Sequence, residues 1–188
     1  MDILKQLKDE LGIKLEQVEA AVKLIDEGNT IPFIARYRKE VTGSLDDEVL
    51  RNLNERLLYL RNLEDRKTQV LETIEEQGKL TKELKEQILR ATTLVVVEDL
   101  YRPYKPKRRT RAIIAKEKGL EPLANIILLQ MTNVSIEEEA KAYLSEEKGV
   151  NTVEEAIAGA KDIIAEVIAD EADYRIYIRK ETIKEGTI

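Results

Sequence analysis

The chain reads as an all-α protein, a multi-helix module with one long strut helix. Three observations carry that reading. Apolar residues recur at three- and four-residue intervals over most of the sequence, residues suited to helix caps precede the periodic segments, and only eight glycines and four prolines punctuate 188 residues. With one Phe, seven Tyr and no Trp, the core must be aliphatic. An apolar fraction of 43% beside 36% charged residues describes a heavily solvated globular protein. It forms one module over 1–188, with lobes expected at 1–91 and 92–188.

Amphipathic segments at 2–11 and 15–27 stop at Gly12 and Gly28, residues suited to the left-handed position after a helix. Pro32 marks a helix start, so 32–39 reads as a short helix with Phe33, Ile34 and Tyr37 on its apolar side. Ser44 reads as the cap of the longest element, about 45–77, with Asp46, Asp47 and Glu48 in its electropositive first turn. Its stripe is Leu50, Leu53, Leu57, Leu60, Leu71 and Ile74, broken by Glu64 and Lys67. That wide polar break argues against a sustained coiled coil. Thr81 caps a helix to about 91. The run Thr92-Thr93-Leu94-Val95-Val96-Val97 favours a strand by its β-branching, but no partner strand exists, so 94–101 is assigned as helix. Thr110 caps 111–118 and Pro122 starts 122–130. Ser135 with Glu138 and Thr152 with Glu155 read as capping boxes opening helices at 136–145 and 153–169. A last helix covers 171–183, and Lys184–Ile188 reads as the beginning of a connection within a longer protein.

Absences narrow the function. There is no Cys and no His, which removes thiolate chemistry, disulfides, the usual general base and the commonest metal ligand together. No phosphate-binding loop, dinucleotide fingerprint or nucleophile elbow occurs. Asp46, Asp47 and Glu48 are consecutive, so they do not converge on one side of a helix. No enzyme activity, cofactor or metal is expected. No apolar run approaches the roughly 20 residues of a membrane span, and no signal-peptide core opens the chain. The expected location is the cytoplasm.

The positive signal is the stretch from Arg102 to Arg111, which holds six cations and no acid in a chain of net charge −6. Arg102 and Lys105 both precede proline, which predicts a stiff, extended and exposed connection. Arg102, Lys105, Lys107, Arg108, Arg109 and Arg111 are candidate contacts to a nucleic-acid backbone, with Tyr101 or Tyr104 to stack on a base. The competing reading pairs these cations with acids of neighbouring helices, Glu98 and Asp99 being nearest in sequence. About four phosphate contacts would weaken binding on the order of hundredfold between 50 and 200 mM salt. Pro103-x-x-Pro106 also matches a minimal polyproline ligand, a pattern that rests on two prolines alone. Arg36, Arg38 and Lys39 form a second basic cluster, against which stands a simple docking helix anchored by Phe33.

Two of these stretches together carry a resemblance. Thr-Ile-Pro-Phe-Ile-Ala-Arg-Tyr-Arg-Lys-Glu-Val-Thr-Gly at 30–43 and Glu-Asp-Leu-Tyr-Arg-Pro-Tyr-Lys-Pro-Lys-Arg-Arg-Thr-Arg-Ala at 98–112 closely resemble the N-terminal region of the Tex family. These are bacterial transcription accessory proteins related to a eukaryotic transcription elongation factor. Gly119-Leu120-Glu121-Pro122-Leu123-Ala124 is similar as well, and the likeness covers most of the chain. The resemblance implies a non-catalytic helical module with a helix-turn-helix-like part. In the family it precedes an RNase H-like domain, helix-hairpin-helix motifs and an RNA-binding domain, none of which lies in these residues. The implied partners are nucleic acid (RNA or DNA, without sequence preference), the transcription machinery and the remaining domains of the full-length protein. The alternative is a protein–protein scaffold acting through the long helix, without direct nucleic-acid contact.

Overall fold

The structure, a computed structural model, describes residues 2–187 and divides after Val97 into two compact units. Among the described residues there are eleven α-helices and no strand, only an isolated antiparallel bridge between Ser145 and Val150.

In the first unit α1 (Ile3–Leu11), α2 (Leu15–Asp26) and α3 (Ile31–Tyr37) pack on the 30-residue helix α4 (Asp47–Glu76), as does α5 (Lys82–Arg90). Leu7, Val18, Ala21, Ile34, Leu50, Leu53, Leu57 and Leu60 form an aliphatic core among them. The α4 stripe runs unbroken from Leu50 to Ile74, because Lys67 occupies a core position and is only 2% exposed. Its four-carbon stem continues the apolar surface. Its ammonium donates to the Glu64 carboxylate at 2.8 Å and to the Leu89 carbonyl, near the end of α5, at 3.0 Å. Those partners meet the requirement that a buried charge be paired and hydrogen-bonded.

Two local expectations are corrected here. The cap of α4 is Asp46, whose carboxylate accepts from the Val49 N–H at 2.9 Å. Ser44 lies two residues earlier at φ 65, outside the extended backbone that a capping residue needs. The anchor of α3 is Ile34, fully buried, and not Phe33. Phe33 is half-buried, with its ring centroid 5.4 Å from that of Tyr37 and the Arg38 guanidinium 5.1 Å away. Two bidentate ion pairs add to the packing: Arg56 grips Glu10 at 2.5 and 2.8 Å, and Arg61 grips Asp26 at 2.7 and 2.8 Å.

The helix α6 (Leu94–Tyr101) confirms the helical assignment of the valine run. Its β-branched residues find no ladder to join, and the Leu94 N–H donates to the Tyr59 hydroxyl.

The second unit is arranged round α10 (Val153–Asp170), which α7 (Arg111–Glu117), α8 (Glu121–Leu129), α9 (Ile136–Lys141) and α11 (Ala172–Glu185) all contact. Its core is built from small and aliphatic residues, among them Ala112, Ala115, Leu120, Leu123, Ala156, Ala160 and Ile163. The helices approach closely: a Cβ on Gly159 would lie 2.4 Å from a Leu120 methyl. The expected helix to 145 ends at Lys141, and the chain turns through the Ser145–Val150 bridge. Ser135 and Thr152 cap as expected, but Glu155 reaches the Asn151 N–H rather than that of Thr152.

Candidate nucleic-acid interface

The basic stretch lies in the second unit between α6 and α7. It is not extended throughout: Arg102–Tyr104 form one 3₁₀ turn that continues α6, despite the proline at 103. Lys105 has the φ −62, ψ 136 of polyproline II backbone, as expected before Pro106. Residues 106–110 then run without regular structure to Thr110, whose hydroxyl caps α7 by accepting from the Ile113 N–H at 3.1 Å.

Ion pairs divide the stretch into two parts. Arg102 bonds Asp170 at 2.9 Å. Lys107 bonds Asp170 closely and meets Glu166 at 3.4 Å. Lys105 bonds Glu98, and its ammonium lies 5.6 Å from the Tyr101 ring centroid. The Thr110 hydroxyl donates to Glu166 at 2.9 Å. These contacts seat the stretch on α10 and α6, and the carboxylates that receive it are half-buried.

Beyond that seat lie three arginines. Arg108 is exposed and has no ion pair among the described residues. Arg109 pairs with Glu117 at 2.7 Å but remains 70% exposed, and Arg111 approaches Asp162 at 3.5 Å while 86% exposed. Exposed pairs of this kind contribute a few tenths of a kcal/mol and exchange readily with other anions.

The acids expected to neutralise the stretch were therefore half correctly placed by sequence proximity. Glu98 does bind Lys105. Asp99 does not join in: its buried carboxylate, 5% exposed, accepts from Arg175 and Arg179 of α11, each at 2.8 Å. The main acid partners, Asp162, Glu166 and Asp170, lie more than 50 residues away in sequence, and their four-residue spacing along α10 is the one trace of them that the sequence carries. Tyr101 is buried, which removes it as a base-stacking residue, and Tyr104 is half-buried. In the first unit Arg36 and Lys39 are exposed, whereas Arg38 is half-buried over Phe33 and donates to the Tyr37 carbonyl. Among the described residues no group of acids could hold a metal ion, and no helix is long and apolar enough to cross a membrane.

Comparison with known proteins shows which family the chain resembles. The model for the Tex-like protein N-terminal domain matches residues 1–75, and that for the Tex central region-like segment matches 132–188. The chain belongs to the Tex family. It is 47% identical to the transcriptional accessory protein Tex of Neisseria gonorrhoeae over the whole chain, which covers 24% of that protein. It is 50% identical to protein tex of Bordetella pertussis over 99% of the chain and 23% of that protein. A more distant relative is human S1 RNA-binding domain-containing protein 1, 29% identical over 95% of the chain and 18% of that protein. The chain thus spans about a quarter of the length of its bacterial Tex relatives and corresponds to their N-terminal part.

Proposed function

We propose that this Tex module is non-catalytic and supplies sequence-independent contacts to the phosphate backbone of RNA or DNA through Arg108, Arg109 and Arg111. The one-sided seating of the basic stretch carries the reading. Arg102, Lys105 and Lys107 are spent on α10 and α6, while three arginines within four residues stay open to solvent. Guanidinium groups grip phosphate in bidentate fashion and carry their charge at every physiological pH. The names of the relatives support a transcription and RNA setting, and with it a cytoplasmic one. The want of His and Cys supports a role without catalysis. Tyr104, Arg36 and Lys39 are secondary contacts. The candidate for the helix-turn-helix-like part is α7 with α8, whose three-residue connection contains Gly119.

About three contacts imply a fall in affinity of roughly 20- to 40-fold between 50 and 200 mM salt, less than six free cations would give. Fluorescence anisotropy of labelled single-stranded RNA and duplex DNA at both salts tests the proposal. Arg108→Glu with Arg109→Glu is expected to abolish binding with an unchanged circular dichroism spectrum. Unchanged affinity in that variant would sink the proposal.

One observation favours the scaffold reading. Helix α11 buries no side chain, and Tyr174, Tyr177, Ile178 and Ile183 are all exposed. For a scaffold role, the exposed apolar residues of α11 fit docking better than the long helix α4, whose apolar stripe is buried inside its own unit.

A further inference from the structure

The basic stretch rests on a ladder of acids. Asp162, Glu166 and Asp170 recur every four residues along α10, about 6 Å per step. The stretch meets them in reverse order: Arg111 at Asp162, Thr110 and Lys107 at Glu166, Lys107 and Arg102 at Asp170. A row of regularly spaced anions along a run of cations is also what a nucleic-acid strand presents.

The seat is open to water. Arg102, Lys105, Lys107 and Arg108 share a surface groove with Glu166 and Asp170. Lys107 and Arg102 keep side-chain exposures of 24% and 46% within their pairs, so an external anion can reach them. The geometry points to the α10 ladder as an internal competitor for the phosphate backbone: Glu166 and Asp170 hold Lys107 and Arg102, and an incoming strand gains those two contacts only by displacing them. The acids act twice, by occupying the cations and by repelling phosphate from the groove. This inference rests on the reading of Arg108, Arg109 and Arg111 as phosphate contacts and says what limits their strength.

The test compares the intact chain with Glu166→Gln/Asp170→Asn, using labelled 20-nucleotide oligouridylate and a 20-base-pair DNA duplex across a salt series. A control, Glu147→Gln/Glu154→Gln, removes the same charge from two exposed acids of the same unit. The ladder variant is expected to bind oligouridylate about tenfold more tightly. Its dependence of log affinity on log salt should be steeper by about 1.4, the increment for two further single-strand phosphates. The control should gain threefold at most. An equal gain in both variants overturns the inference, because general charge then explains it. Binding by the parent chain with no gain in the ladder variant makes the acids a structural seat; that overturns this inference and leaves the proposed function standing. No binding by any of the three proteins overturns both. If thermal melting shows the double variant unfolded, Glu166→Gln alone is read in its place. It leaves Asp170 seating Arg102 and Lys107, and a gain of about threefold over the parent is expected, above that of Glu154→Gln alone; an equal gain in the two single variants, or no gain, overturns the inference.

Discussion

Arg56 and Arg61 stand five residues apart on α4, and each takes a carboxylate from another helix, Glu10 from α1 and Asp26 from α2. The hydrogen bond from Arg56 holds the Glu10 carboxyl below its usual range, and that from Arg61 does the same for Asp26. A carboxyl whose folded pKa is depressed contributes stability above its unfolded value, near pH 4, and loses it as pH falls through the folded value. Acidification from pH 5 to pH 3 should therefore lower the thermal midpoint of the chain. Glu10→Gln/Asp26→Asn should lose less over that interval, by about 0.5 kcal/mol for each of these solvent-screened pairs. Melting curves followed by circular dichroism at both pH values check this, and equal losses in parent and variant would deny the two pairs any role. Lys67 shows the limit of sequence reading at this scale. Its position at core register was visible, but a lysine there reads as a break in the stripe until Glu64 and the Leu89 carbonyl are seen beside it.

Among the elements, α11 depends on charge. It buries nothing of its own, and Arg175 and Arg179, one turn apart, converge on the buried Asp99. Removing one partner from a buried pair costs more than the pair contributes, since the remaining charges are left uncompensated. Asp99→Asn should release α11, and hydrogen exchange across 172–185 should accelerate at least tenfold while the α4 core stays protected. Unchanged exchange would mean that contacts with α10 suffice. Helix positions were mostly legible in the sequence because caps and periodicity agree: Thr81, Thr110, Ser135 and Thr152 all cap as read. Errors fell where two capping residues compete, as Ser44 does with Asp46, and where a tertiary turn ends a helix early, as after Lys141. In each case backbone geometry decided between chemically equivalent choices.

At the scale of the molecule, two aliphatic cores lie on either side of the division after Val97, each closed by its own helices. The division after Val97 falls within α6. The basic stretch was legible as a cluster, for charge density is a local property. Its division into a seated half and an open half was not, since the ladder of α10 lies far along the chain. The central claim is that the open half touches phosphate. Side-chain Nε–H resonances of the arginines, followed by NMR during titration with oligouridylate at 50 mM salt, test it most directly. The account predicts saturable shifts at Arg108, Arg109 and Arg111 that 300 mM salt reverses, with Arg175 and Arg179 unmoved. Stationary resonances at those three arginines, with shifts elsewhere or nowhere, would contradict it.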